Sequence, residues 1–127
     1  MKVYQQITLL PKDTNGYGTV FGGVIMSYID LAAAACCRDH FRNPKFVTLV
    51  VRELTFREPV YVGDLLTLSG EIKGTGRTSV TVHIKAEARR RDAREQVHVT
   101  DAEMVFVAVD EHDRKSPLVP WEADACG

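Results

Sequence analysis

The feature that most limits what this 127-residue chain can become is the run of residues 15–37, NGYGTVFGGVIMSYIDLAAAACC. It opens as a loop punctuated by Gly16, Gly18, Gly22 and Gly23, then turns into an apolar helical segment. Across residues 24–37 only Ser27 and Asp30 carry polar side chains, apart from the Tyr28 hydroxyl. A helix that is apolar on nearly every side is expected to be buried on most of them. A carboxylate buried there is costly unless it is paired or hydrogen-bonded. Gly23, Ser27 and Asp30 stand at i, i+4 and i+7 and share one face. A small-residue stripe ending in an acid reads as a gap left for a ligand. The plainer reading is an acid that caps a neighbouring loop or meets an arginine.

The length fits one domain, residues 1–127, with a tail from about residue 111. A net charge of −1 gives no reason to expect nucleic acid or an anionic membrane as partner. No run reaches the roughly 20 apolar residues of a membrane span, and Met1-Lys2-Val3-Tyr4 opens no signal peptide. Cys36, Cys37 and Cys126 form no C-x-x-C pattern, so reduced thiols and a cytoplasmic protein are expected. No histidine stands where it would activate Cys36 or Cys37, which read as small core residues. His40, His83, His98 and His112 lack metal-ligand spacing, so no metal is expected.

Residues 3–9 have strand character, and the Pro11-Lys12-Asp13-Thr14-Asn15-Gly16 segment that follows has loop chemistry. The helix is expected to start at Gly22 or Gly23 and to end before Pro44. From Phe46 the period changes to two. Residues 46–57 read as one long strand, with a bulge or two-sided cover where the apolar face switches between Val51 and Leu54. Leu66, Leu68 and Ile72 mark a further strand, broken by Gly74-Thr75-Gly76. Residues 78–88 alternate, with Val80, Val82, Ile84, Ala86 and Ala88 on one face. Arg89-Arg90-Arg91-Asp92-Ala93-Arg94-Glu95 is a charged hairpin loop, read as solvated rather than as a phosphate site because of its interleaved acids. Residues 97–109 form the last strand. One long helix, about five strands and no second helix for crossovers give an α+β layout with a curved antiparallel sheet around the helix.

Four segments now carry a resemblance. Pro11-Lys12-Asp13-Thr14-Asn15 with Phe21-Gly22-Gly23-Val24-Ile25-Met26 and Asp30 is one. Pro59-Val60-Tyr61-Val62-Gly63-Asp64, Gly76-Arg77-Thr78-Ser79-Val80 and Phe106-Val107-Ala108-Val109-Asp110 are the others. In this order they resemble the hotdog-fold acyl-CoA thioesterases. The resemblance implies hydrolysis of acyl-CoA to a carboxylic acid and coenzyme A, with no cofactor beyond the coenzyme A of the substrate itself. It implies Asp30 as general base or nucleophile, and Asn15 as the amide that helps hold water and thioester. It implies the Gly22 N–H as receiver of the thioester oxygen, with Gly23 behind it. Thr48 stands where a hydroxyl orients water, and Gly76, Arg77, Thr78 and Ser79 line the coenzyme A arm. It also implies a homodimer at least, with stacking into tetramers or hexamers. The chain departs from the pattern at Phe21, where many relatives have histidine, and at Thr19. It departs again at Glu58, where bacterial relatives have a basic residue.

The chemistry suits these positions. Thioester hydrolysis builds negative charge on the carbonyl oxygen, and a helix N-terminus offers free N–H groups and a positive dipole end. Gly22 and Asp30 are eight residues apart, about 12 Å along a helix, too far to serve one carbonyl from the same helix. Two antiparallel helices from two chains would bring them together. Two rival functions remain on the same fold: an acyl-thioester dehydratase or hydratase, and a non-catalytic acyl-CoA-binding protein. The first needs a histidine beside the acid, and the helix has none before His40. The second would need an attached DNA-binding domain, for which this length leaves no room. Asn15 also has a plain reading as a turn residue, Gly22-Gly23 as a loop-to-helix turn, and Arg77 as a solvated hairpin residue.

Overall fold

The structure is a computed structural model, described here for residues 1–121. Strand β1 (Lys2–Thr8) leads through a 3₁₀ turn at Pro11–Asp13 to helix α1 (Gly22–His40). Strands β2 (Lys45–Arg52), β3 (Leu65–Thr75), β4 (Ser79–Arg89) and β5 (Gln96–Val109) follow. They form one antiparallel sheet in the order β1-β3-β4-β5-β2, with α1 packed on one face. This is the single-helix, five-strand layout expected from the pattern. Among the described residues no helix is long and apolar enough to cross a membrane.

The alternation in β4 works as read: Val80, Val82, Ile84, Ala86 and Ala88 are all fully buried against the helix. Ile25, Ile29, Ala32, Ala33, Cys36 and Cys37 form the buried helix stripe, at the i, i+4, i+7 spacing of one face. Cys36 and Cys37 are free, buried core residues, and Cys126 lies outside the described residues.

Burial of the helix is one-sided, which corrects the expectation of a helix covered on most sides. Leu31 remains 58% exposed and Phe21 51% exposed. A single layer of sheet can cover only one face of a helix, so the second apolar face is left open on this chain.

Two strand boundaries also differ from the sequence reading. Residues 46–57 are not one strand. Leu49 is the unpaired residue of a bulge between Thr48 and Val50, and β2 ends at Arg52 because Glu53 takes a left-handed φ of 53°. The following residues leave the sheet, held by the Thr100 hydroxyl donating to the Thr55 carbonyl and by Arg57 N–H donating to Val99. Gly74 does not end β3, which bulges between Ile72 and Gly74 and runs on to Thr75. The tail after Asp110 packs back onto the fold. The Asn43 side chain donates to the Pro117 carbonyl and accepts from Val119 N–H, so one amide clamps the returning chain.

Candidate active site

Helix α1 begins where Phe21 N–H donates to the Asp13 carbonyl at 3.0 Å and Val20 N–H donates to Val60 at 2.7 Å. The buried Asp13 carboxylate accepts from Leu10 N–H, so the acid of the Pro11-Lys12-Asp13 segment has a structural job. Phe21, the N-cap residue, contributes no side-chain hydrogen bond. The first N–H groups of the helix, at Gly22 and Gly23, therefore have neither an intrahelical acceptor nor a capping oxygen. Both glycines are exposed. This is the free, positively polarised helix end that an oxyanion requires.

A feature hidden in the sequence covers that end. The Phe56 ring lies against Gly22, so that a Cβ built there would stand 3.3 Å from Phe56 Cε2. Phe56 reaches this point because β2 stops at Arg52. The continuous strand expected over residues 46–57 concealed it.

Eight residues along, Asp30 is half-buried on the open side of the helix. The Thr48 hydroxyl, on edge strand β2, donates to Asp30 Oδ1 at 2.7 Å. This bond fixes the carboxylate and leaves Oδ2 without a hydrogen-bond partner among the described residues. Ser27, the other polar member of the expected stripe, turns its hydroxyl back to the Val24 carbonyl at 2.6 Å.

Asn15 sits in the loop before the helix. Its Oδ1 accepts from Tyr17 N–H at 2.9 Å and its Nδ2 donates to Thr19 Oγ1 at 2.8 Å, an Asx-turn arrangement. One donor hydrogen and one acceptor lone pair remain for another partner. The structure thus joins Thr48 to Asp30 directly, while Gly22 and Gly23 stand at the helix start and Asn15 in the loop that leads into it.

Gly76, Arg77, Thr78 and Ser79 form the β3–β4 turn. Gly76 N–H donates to the Ser79 carbonyl, and a Cβ on Gly76 would stand 2.6 Å from Ser79 Oγ. The returning C-terminal segment supports this turn, with Leu118 N–H donating to the Arg77 carbonyl at 3.0 Å. The Arg77 side chain is exposed and makes no ion pair among the described residues. Register places the turn relative to the acid. Ser79 and Val47 both pair with Val107, so the turn lies two strand spacings, about 10 Å, across β5 from the strand that carries Thr48.

The thiols stay outside this chemistry. Burial raises both, Cys37 to about 12, so neither forms thiolate at neutral pH. Tyr4 is pushed far above its ordinary value by burial and by the neighbouring Cys36 and Asp39. Its hydroxyl is a fixed donor to Asp39 at 2.9 Å.

A single helix on a curved five-stranded antiparallel sheet is the layout of a hotdog fold. Residues 17–93 match the family model described as "Thioesterase superfamily", more than half of the chain, and the chain belongs to that family. It is 34% identical over 116 residues to an uncharacterised acyl-CoA thioester hydrolase of Haemophilus influenzae, covering 89% of this chain and 74% of the relative. It is 30% identical to the acyl-CoA thioester hydrolase YciA of Salmonella typhimurium, covering 86% and 84%. A hexameric hotdog-fold thioesterase of Campylobacter jejuni superposes with a TM-score of 0.86 at 32% identity, covering 93% of this chain and 90% of that one.

Proposed function

We propose that this chain is an acyl-CoA thioester hydrolase whose active site is shared between two copies of the chain. The observation that carries the reading is the Asp30 carboxylate, held by the Thr48 hydroxyl on the helix face that the chain leaves open. An oxyanion site works in surroundings from which water is largely excluded. Here Gly22, Gly23 and Thr48 are exposed and Asp30 is half-exposed, so one chain holds the groups without enclosing them. A second copy supplies the enclosure.

In the proposed reaction the acyl-CoA carbonyl oxygen accepts from the Gly22 N–H of one subunit, where Gly22 and Gly23 let the substrate approach without a Cβ in the way. Asp30 of the other subunit takes a proton from water as it attacks, or attacks the carbonyl itself to give an anhydride that water then opens. On the water route the tetrahedral intermediate collapses by breaking the C–S bond, the departing thiolate regains a proton and the carboxylic acid is released. On the anhydride route C–S cleavage expels coenzyme A first, and water then frees the carboxylic acid and Asp30. Asn15, from the Gly22 side, uses its remaining donor and acceptor to hold the water and the thioester. The coenzyme A arm follows the 76–79 turn, with Arg77 near its phosphates. Beyond the acyl-CoA itself the reaction consumes only water. Two buried free thiols support a cytoplasmic setting. The hexameric Campylobacter relative supports assembly beyond a dimer.

Dehydration of a hydroxyacyl thioester fits less well. His40 is ten residues, about 15 Å, from Asp30 along the helix, and its Nδ1 engages the Cys36 carbonyl at 2.9 Å. The test is release of free thiol from acyl-CoA by the purified protein. Asp30→Asn should retain the fold and lose about a hundred- to ten-thousand-fold in rate. A variant within threefold of wild type would move the chemistry elsewhere. Sharing is tested by refolding Asn15→Ala together with Asp30→Ala. Random pairing makes half the dimers mixed, each with one intact site, so about a quarter of wild-type activity should return. Mixed dimers no more active than either parent would exclude the shared site.

A further inference from the structure

Asn43 is a buried amide on the short connection between α1 and β2, and the site described above makes no use of it. Both of its polar ends are spent on one neighbour. Nδ2 donates to the Pro117 carbonyl at 2.9 Å, and Oδ1 accepts from Val119 N–H at 2.8 Å. The side-chain amide thus stands in for the peptide group of an adjacent strand, taking an acceptor and a donor two residues apart on one edge. Backbone pairing continues beside it, from Arg42 N–H to the Val119 carbonyl and through a bridge between Phe41 and Pro120. Pro117 has no N–H to leave unpaired on the gripped edge.

The opposite edge of residues 117–119 carries one donor, Leu118 N–H, and it is given to the Arg77 carbonyl at 3.0 Å. These three residues are therefore a strap, held by Asn43 on one edge and bracing the β3–β4 turn with the other. The turn closes itself at two further points. Gly76 N–H donates to the Ser79 carbonyl at 2.9 Å, and Ala108 N–H donates to the Thr78 carbonyl at 2.8 Å. Those bonds fix the peptide groups around the tip, but the peptide between Arg77 and Thr78 takes its orientation from Leu118. The Arg77 side chain is exposed and makes no ion pair among the described residues. The direction in which it leaves the turn therefore depends on that one peptide plane.

We propose that Asn43 is a positioning residue for the coenzyme A arm: its grip on the strap sets the Arg77 peptide, and through it the place of the Arg77 guanidinium. The proposal rests on the reading above, in which that arm follows the 76–79 turn. Asn43 touches neither the substrate nor the reacting atoms. Without its amide the strap loses two of its bonds, and the turn tip samples more orientations. Binding of the coenzyme's phosphates weakens, while Asp30, its Thr48 partner and the helix start stay as they are.

The experiment measures KM and kcat for an acyl-CoA and for the matching acyl-pantetheine, which lacks the nucleotide. The proteins are wild type, Asn43→Ala, Arg77→Ala and the double variant. Asn43→Ala should raise KM for the acyl-CoA about fivefold or more, part of what a charge-assisted contact contributes. KM for the acyl-pantetheine and both kcat values should stay within twofold. A general loosening of the fold would move both substrates alike. Because Asn43 acts through Arg77, the double variant should match Arg77→Ala alone. Hydrogen exchange gives a readout that needs no substrate: the Leu118 amide should exchange roughly tenfold faster in Asn43→Ala. Asn43→Asp keeps an acceptor for Val119 N–H and loses the donor to Pro117. It should move every quantity the same way by less, and it carries the test if the alanine variant does not melt cooperatively.

An unchanged Leu118 amide, equal KM rises on both substrates, or independent effects in the double variant would overturn the proposal. If Arg77→Ala itself leaves the acyl-CoA KM within twofold, the coenzyme reading of the turn falls and the proposal with it. A null result confined to the Asn43 variants overturns the proposal alone and leaves that reading standing.

Discussion

Replacing Thr48 by valine isolates the contact on which the proposed site depends. The two side chains have nearly the same shape, and Thr48 is exposed on the edge strand, so the change should hardly alter packing. What it removes is the hydroxyl that donates to Asp30 Oδ1 at 2.7 Å. A hydrogen bond to a charged group contributes about 1.5–3 kcal/mol. Solvent screening around a half-exposed carboxylate favours the lower end of that range. Closure of the site by a second subunit would push it upward. With about 1.4 kcal/mol per tenfold in rate, loss of the fixed carboxylate should lower kcat roughly tenfold to a hundredfold.

KM should change little, because the hydroxyl touches the acid rather than the coenzyme. Thr48→Ser keeps the donor and should recover most of the rate. Continuous detection of free thiol at saturating acyl-CoA measures all three proteins. If valine leaves kcat within twofold of wild type, the hydroxyl does not position the acid. A serine variant as impaired as the valine would instead assign Thr48 a packing role.

Gly22→Ala should melt within a few degrees of wild type, since the exposed Phe56 ring can yield the few tenths of an ångström required, yet kcat should fall at least tenfold because a methyl group enters the carbonyl's path. Asp64→Ala should cost about 3 kcal/mol in a denaturant titration, because it removes the buried partner of Arg90 and the acceptor of Tyr61 N–H. Asp39, held below its ordinary value of 3.8 by Lys2 and the Tyr4 hydroxyl, should contribute stability above that pH and lose it as pH falls through its lower folded value; the stability gap between wild type and Asp39→Asn, followed by thermal melts, should be flat near neutrality and close only in that acid range. Cys37, raised to about 12, should resist alkylation in the native protein at pH 8 and react only after denaturant is added.

The parts of the fold that rest on local pattern were legible. Glycines before the apolar run mark the start of α1 at Gly22, and strict alternation marks β4. What could not be read depends on single backbone dihedrals or on distant partners. Residues 46–57 keep strand-like composition throughout, yet the left-handed φ of Glu53 ends β2, and no glycine, Asn or Asp marks that position. Phe56 therefore looked like a strand residue, although it covers the helix end. Arg90 looked solvated because its partner, Asp64, lies 26 residues earlier in the chain. Asp30 and Thr48 were both singled out, but their hydrogen bond joins residues 18 apart on different elements and exists only once β2 reaches the helix.

The division of the proposed site follows from the way one helix meets one sheet. The buried stripe of α1 consumes the face that packs on the sheet, so Asp30 can only occupy the flank, where edge strand β2 is near enough to offer Thr48. The free N–H groups can only be at the helix start, about 12 Å away along the axis. The apolar residues left uncovered, Leu31 on the helix and Val47, Leu49 and Val51 on β2, flank the same acid. An edge strand with an exposed apolar row invites pairing with another chain. A partner covering that surface would dehydrate Asp30 and deliver its own helix N-terminus in one step. In the proposed arrangement assembly and catalysis would be two consequences of the same unfilled half of the helix.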